Sequence, residues 1–282
     1  MTWIAKQDYP VDGIRLVASG QRIYGTAGSQ FADGIRYVDV RLSYEPDGQI
    51  YIEHGLRGAS VDDVISQVAS FAETHPKEVL LVNMARMTTG VPTSSWTPQM
   101  HEVLVAKLQE GLGSRMAPDS LGTSATLRDF WAIDRNVVLM YSDGAVAAAH
   151  DNLWSSDILF QPWPNVAAVG PLFNANYRYL GERDPSKIWG LSGQTTPDTT
   201  SIVRGLLLAG PDSIESLMRT VHPSLQNWLR YDFADSVNLV TTDFYDAPWT
   251  RGSYVRDVLA SVDGAYIAPR SLRSTKVNYR SA

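Results

Sequence analysis

Short, almost entirely apolar runs recur along this chain, and longer segments with apolar residues at helical spacing separate them. Residues 78–84 and 136–141 are the clearest runs, and residues 34–42 form a third that is rich in branched side chains. Strands without polar alternation are typical of a parallel sheet covered on both faces. Strands that alternate with helices imply right-handed βαβ units. The number of units predicts an α/β fold, a single irregular or incomplete (β/α)8 barrel with a parallel sheet.

Weaker patterns complete the order of elements. Pro46 and Gly48 predict a turn, and Ser60 predicts the start of a helix whose first turn holds two aspartates. A histidine and a proline at 75–76 predict its end. The segment 142–193 is loop-rich, and long loops on a compact barrel are usually functional. Further strands are expected at 49–54, 188–191 and 236–243, and further helices at 99–112, 212–230 and 254–261.

Composition excludes several classes of protein. The 282 residues are 44% hydrophobic and carry a net charge of −6, which suits one large core and argues against nucleic acid as a partner. The chain has no cysteine, so disulfides and thiolate metal sites are excluded. No apolar run reaches the roughly 18 residues of a spanning helix. We expect a barrel domain over residues 1–268 and a basic surface tail over 269–282.

Polar side chains stand near the ends of predicted strands. Asp39 and Arg41 lie two residues apart in one strand and therefore share a face. His54 ends the next extended run, and Asp243 ends the last one. In a parallel barrel, all of them would lie at the carboxyl rim, where barrel enzymes keep their active sites. Arginine clamps phosphate, and histidine protonates a leaving oxygen, so the set suits phosphate chemistry. Each residue also has a structural interpretation, such as a solvated ion pair for Arg41.

The segment from Gly34 to Leu42 and its surroundings resemble a known family. Three consecutive features are similar to the X-domain pattern of phosphatidylinositol-specific phospholipase C. They are the run Gly-Ile-Arg-Tyr-Val-Asp-Val-Arg, then Glu-His-Gly at 53–55, and then a helix that leads into His-Pro-Lys-Glu at 75–78. Residues 193–198 and 238–244 resemble that family's later strands. The similarity extends from Gly34 to Leu259.

The resemblance, in particular to bacterial members, implies a role for each matched position. Arg41 stands where metal-independent members neutralise the phosphate, so calcium is less expected and no cofactor or metal is predicted. His54 would be the general acid, Asp39 would support the site, and Asp243 would pair with the general base. The implied reaction is attack of the inositol 2-hydroxyl on phosphorus, which gives diacylglycerol and a cyclic inositol phosphate.

Two features depart from the family pattern. The family's general base lies in a GTHDS-like motif upstream of the strand at Gly34, and residues 1–33 contain no histidine. His150, which precedes an aspartate, is a possible substitute. The basic residues that grip the head group are also not matched position by position. Arg86, offset by one position, Tyr141 and Asp198 are the candidates for substrate binding.

These departures leave alternatives open. One is a non-catalytic relative that binds a lipid or glycan. Another is a metal-dependent barrel of the glycerophosphodiester phosphodiesterase or sphingomyelinase D kind. Those enzymes use a Glu-x-Asp ligand pair and usually His-Asp, and this chain has Tyr37-Val-Asp39 and His54-Gly55 at these places. The resemblance implies a phosphoinositide lipid or membrane surface as partner, a monomer, and a secreted or extracellular protein, although the start of the given chain lacks a signal-peptide pattern. With the motif absent, we expect poor cleavage or none.

Overall fold

The computed structural model of the protein describes residues 27–32, 34–53, 57–90, 94–207, 210, 213–233 and 236–244. The strands among them form two sheets. Six strands, in the order β3-β2-β1-β4-β5-β6, make the larger sheet, and β7-β8-β9 make the smaller one. The strands are β1 Tyr37–Tyr44, β2 Ile50–Glu53, β3 Arg57–Ser60, β4 Leu80–Thr89, β5 Val137–Tyr141, β6 Trp154–Ser155, β7 Leu159–Phe160, β8 Ile188–Ser192 and β9 Leu239–Thr241.

Helices connect most of these strands and cover the sheets. The strands β4, β5 and β6 follow β1 in parallel, and β7, β8 and β9 are parallel to one another. The helices are α1 Ala27–Ala32, α2 Val61–Thr74, α3 Pro98–Leu112, α4 Leu127–Ala132, α5 Gly144–Ala148, α6 Val169–Glu182, α7 Thr199–Leu206 and α8 Ile214–Asn227, and a π-helical turn at Trp228–Asp232 extends the last of them.

The helix α2 shows how closely local sequence determines an element. Ser60 caps it, and the serine side chain accepts a hydrogen bond from the backbone N–H of Asp63. The buried side chains of α2 recur at helical spacing, as the sequence predicts, and the helix ends before His75. The predicted helix therefore agrees with the structure at both ends.

Strand alternation separates an interior core from two outer cores. In β1, Val38 and Val40 face the helices, whereas Tyr37 faces the interior. The interior core joins side chains from both sheets, including Tyr37, Leu81, Val138, Met140, Ile188 and Leu239. A core shared by two curved, mostly parallel sheets is the arrangement of a barrel, although the hydrogen-bonded strands do not close into a ring among the described residues.

Two predictions need correction. The run at 49–54 was expected to be parallel, but β2 is antiparallel to β1, because the short turn that ends at Gly48 cannot hold a crossover. The loop-rich segment 142–193 contains a fourteen-residue helix, α6. The last predicted helix, at 254–261, and the basic tail lie outside the described residues.

No helix in the described part of the chain has the length and apolar character needed to cross a membrane.

Candidate active site

Asp39 and Arg41 lie on the interior face of β1, where the strand approaches its carboxyl end. The Arg41 Nε atom is 3.9 Å from Asp39 Oδ2, so the two side chains share a face as alternation requires. Burial raises the pKa of Asp39 to about 7, and the Arg41 guanidinium opposes that rise. The second carboxylate oxygen, Oδ1, is buried and has no hydrogen-bond partner among the described residues. Asp39 is therefore a carboxyl group that can change its protonation state near neutral pH.

A bulge in β4 brings a second arginine beside the first. The strands β1 and β4 are in register from Tyr37 to Val40, but Arg41 then pairs with Arg86 because Ala85 is the extra residue. Paired residues of neighbouring strands lie on the same side of a sheet. The bulge thus turns Arg86 to the interior face, which accounts for its offset of one position in the sequence. Arg86 is exposed, so its guanidinium is available to a ligand.

A layer of neutral polar groups lies on the interior face, closer than the arginines to the amino ends of the strands. Asn83 Nδ2 donates to the Tyr37 hydroxyl at 3.3 Å, and Ser156 Oγ donates to Asn83 Oδ1 at 2.8 Å. The Tyr37 hydroxyl donates to Gln161 Oε1 at 3.1 Å, across the interior from β1 to the segment that follows β7. Burial, followed by the charge of Asp39, raises the pKa of Tyr37. No sequence pattern predicted this layer. Its one sign in the sequence is Asn83, the single polar residue in the apolar run 79–84.

The carboxyl ends of β8 and β9 add a third set of polar side chains. Ser192 pairs with Thr241, and Asp243 follows two residues later. Three side-chain atoms there are buried and lack hydrogen-bond partners in the part of the chain that the structure describes: Ser192 Oγ, Gln194 Oε1 and Thr195 Oγ1. Asp243 is buried as well, and desolvation raises its pKa to about 7. Buried polar atoms without partners are uncommon in native proteins, so such a group at a strand end marks a candidate binding site.

Side chains from α6 and α8 hold these strand ends in place. Asn176 donates through Nδ2 to the Ser192 carbonyl and accepts from the Ser192 N–H, at 2.8 and 3.0 Å. His222 Nε2 lies 2.9 Å from the Asp243 carbonyl oxygen and 3.1 Å from Thr242 Oγ1. Burial lowers the pKa of His222. Both contacts come from the helix side of the strands, so they fix the backbone and leave the interior face to Asp243.

Tyr141 and Asp198 were predicted to bind substrate, and the structure gives both another role. Tyr141 packs in the outer core with α3, where its hydroxyl lies 2.9 Å from His101 Nδ1. It therefore faces away from Asp39. Asp198 caps α7 by accepting from the Ser201 N–H, and it is exposed. We leave both residues out of the proposed site.

His54 and His150 are the two histidines that the sequence suggested for catalysis. His150 precedes β6, next to Asp151, whose carbonyl accepts from the N–H of Asp119 in the segment that leads to the amino end of β5. His150 thus lies at the opposite end of the strands from Arg41, and it cannot substitute for a base there. His54 lies outside the described residues. It follows the antiparallel β2, so the strand-end argument does not hold for it, and its role stays a prediction.

The interior face therefore combines cationic, acidic and neutral polar groups at one end of the strands. Two arginines in register suit a phosphate group, which they can contact through several N–H donors. Carboxyl, amide and hydroxyl groups on the neighbouring strands suit a ligand with several hydroxyls. Among the described residues, no three or more His, Asp or Glu side chains form a group that could hold a metal ion.

Sequence comparison identifies relatives that share a domain name. The chain is 29% identical to mouse (Mus musculus) PI-PLC X domain-containing protein 2 over 227 residues, which are 78% of this chain and 64% of the mouse protein. The chain thus spans less than two thirds of that relative's length. No profile of a known protein family matches the chain.

Structural comparison finds the same fold in bacterial enzymes. Phosphatidylinositol-specific phospholipase C from Listeria monocytogenes superposes with a TM-score of 0.57 at 12% identity, over 91% of this chain and 87% of that one. The enzyme from Staphylococcus aureus gives a TM-score of 0.61 at 11% identity, over 92% and 90% of the two chains. The sequence relative is thus mammalian and these structural neighbours are bacterial, whereas the motifs alone had suggested bacterial members. The chain is similar in sequence to the PI-PLC X domain-containing proteins, and it has the α/β barrel fold of phosphatidylinositol-specific phospholipase C.

Proposed function

We propose that this domain binds the head group of a phosphatidylinositol-type lipid at a membrane surface and cleaves its phosphodiester slowly. The products would be diacylglycerol and a cyclic inositol phosphate. The observation that carries the proposal is the pairing of Arg41 with Arg86 on the interior face, beside the buried carboxyl group of Asp39. The names of the related proteins support the lipid class but do not define the reaction for this chain.

Each group has a chemical role in the proposed reaction. Arg41 would neutralise the phosphate and the charge that develops on it in the transition state. Arg86 would contact the phosphate or a neighbouring hydroxyl from the next strand. Asp39 would hold Arg41 in place through the ion pair at 3.9 Å. His54 would protonate the oxygen of the departing diacylglycerol.

Cleavage is expected to be slow because the chain lacks the histidine of the family's upstream motif. Loss of a general base typically reduces the rate by roughly 10²- to 10⁴-fold. A second candidate function, head-group binding without turnover, is favoured by the same observation. Both candidate functions require Arg41 to bind the phosphate, and they differ only in whether product is released.

We also propose that no metal is required, because the guanidinium of Arg41 provides the positive charge that a calcium ion would otherwise supply. Activity should therefore persist in a chelator. Loss of activity in chelator, with recovery on addition of calcium, would overturn this assignment of Arg41.

The test is release of cyclic inositol phosphate from phosphatidylinositol vesicles. The given chain should release little product, and Arg41→Met should release at least about 10²-fold less, as for loss of one donor to a developing oxyanion. His54→Ala should also reduce release. A form extended upstream into a GTHDS-like segment should be much faster.

The control variant is Arg128→Met, which removes an exposed arginine on α4, at the other end of the strands. It should behave like the wild-type chain. Equal release by the chain and by Arg41→Met would contradict the proposed site. Saturable head-group binding with no product from any form would favour the binding function instead.

A further inference from the structure

The proposed reaction needs a base, and the described histidines do not supply one on the interior face. His75 stacks on Phe71 at the end of α2, and His101 contacts Tyr141 in the outer core. His150 lies at the amino end of the strands, and His222 contacts the backbone carbonyl of Asp243 from the side of α8. The inference below rests on the proposed function and identifies the group that takes the proton.

Asp243 reaches the interior face at the level of the arginines. The contact between Tyr37 and Gln161 joins β1 to the smaller sheet, and Gln161 packs against Gly190, where a Cβ would lie only 2.8 Å from its Cγ. Gly190 pairs with Leu239. Arg41 lies four residues after Tyr37, and Asp243 lies four residues after Leu239. At the usual rise per residue, each is therefore roughly 13 Å further toward the carboxyl end of its strand. Both therefore stand at the carboxyl end.

The neighbours of Asp243 on the chain face the other way. Thr242 Oγ1 contacts His222 of α8, and Phe244 packs against the outer core of β8, α6 and α8. The residue between them is accordingly turned to the interior. The adjacent strand end contributes Ser192, Gln194 and Thr195, all neutral.

Asp39 and Asp243 differ in the charges around them. Arg41 lies 3.9 Å from Asp39 and stabilises its ionised form. The charged or titratable groups that share the interior face with Asp243 in the described part of the chain are Tyr37, Asp39, Arg41 and Arg86, and His222 approaches from α8. None of these described groups forms an ion pair with the Asp243 carboxylate. Asp39 is therefore held by an arginine, whereas Asp243 is free to accept a proton.

We propose that Asp243 is the general base of this domain and acts directly on the substrate without an intervening histidine. Its carboxylate takes the proton of the hydroxyl next to the phosphate, and that oxygen forms the new bond to phosphorus. The bond from phosphorus to the glycerol oxygen breaks, and this oxygen receives a proton from the general acid. The products are a cyclic phosphodiester and diacylglycerol. Before the next turnover, Asp243 releases its proton to solvent and the general acid takes one up.

The protonation behaviour of Asp243 suits this role. Burial alone raises its pKa to about 7, and a base with a pKa near the working pH combines a large ionised fraction with a useful affinity for the proton. A carboxylate in water, with a pKa near 4, is a much weaker base. The desolvated position is thus what makes an aspartate adequate for the task.

The test measures product release from phosphatidylinositol vesicles between pH 5 and 9 for the given chain, Asp243→Asn, Asp243→Glu and Asp62→Asn. The given chain should lose activity as the pH falls through about 7. Asp243→Asn should lower kcat by about 10²-fold or more with little change in KM, and the residual activity should lack the acidic limb. Asp243→Glu should keep part of the activity. Asp62→Asn, which removes an exposed carboxylate paired with Lys107, should match the parent chain.

The outcomes separate this inference from the proposed function. If Asp243→Asn remains folded and keeps both the rate and the acidic limb, Asp243 is not the base, and the proposed function stands. If the given chain releases no product at any pH, the proposed reaction fails and the inference fails with it. A melting curve of each variant distinguishes loss of the base from loss of the fold.

Discussion

The two ends of the barrel interior are filled in different ways. At the amino end of the strands, the interior core consists of side chains such as Val79, Leu81, Ala117 and Phe130, which carry no polar side-chain atoms. At the carboxyl end, side-chain atoms of Asp39, Ser192, Gln194 and Thr195 are buried and have no hydrogen-bond partner within the described ranges. Each such atom costs about 1–3 kcal/mol. The comparison indicates that one end stabilises the fold, whereas the other keeps polar groups for a ligand at the expense of stability.

The amino end should show the largest effect on stability. Phe130 is fully buried in the interior core, so Phe130→Ala should lower the free energy of unfolding by about 3–5 kcal/mol. Ile133→Ala, a nearby change at a side chain that is 41% exposed, should cost far less. Urea unfolding of both variants provides the comparison. Similar losses for the two would mean that the amino end is not the stabilising region.

The buried carboxyl groups should make stability depend on pH. The pKa of Asp243 is about 7 in the folded chain and near 4 when unfolded, so between these values only the folded chain holds the proton. The stabilisation that the folded chain gains by holding this proton is therefore complete below pH 4 and is lost as the pH rises through 7. Asp243→Asn should be more stable than the parent at pH 8, by up to roughly 4 kcal/mol, and similar to it at pH 4. An equal difference at both pH values would contradict the shifted pKa.

Substitutions at two buried serines should have smaller effects on stability, and the two effects should have opposite signs. Ser192 Oγ has no partner, so Ser192→Ala should raise the free energy of unfolding by about 1 kcal/mol. Ser43 Oγ donates to Glu45 at 2.7 Å, so Ser43→Ala should lower it by a similar amount. Thermal unfolding at fixed pH measures both. Destabilisation by Ser192→Ala would indicate that its hydroxyl has a structural role.

The sequence determined much of the fold because the main signals were local. The cap at Ser60 and the apolar run of β5 needed no knowledge of distant residues. The antiparallel β2 could also have been predicted, since its turn at 45–48 is too short for a crossover. The helix α6 was missed because its buried side chains are few, with only Leu172 and Asn176 fully covered.

The site was less predictable because it depends on contacts between strands. Asp39 and Arg41 follow from alternation along one strand. The position of Arg86 depends on a bulge, and the outward direction of Tyr141 depends on which face of β5 the helix α3 covers. Neither can be derived from one segment alone. The partner of Asn83 at Ser156 is 73 residues away, which no local pattern reveals.

The central claim is that the polar end of the interior binds a phosphorylated polyol. Calorimetric titration with inositol 1-phosphate at pH 7 tests it most directly, on the given chain, Arg41→Met and the control Arg128→Met. We expect saturable binding to the chain and the control, and affinity lower by about 10- to 100-fold in Arg41→Met, the value of a charge-assisted hydrogen bond. Absence of binding to the folded chain, or equal affinity in Arg41→Met, would contradict the account.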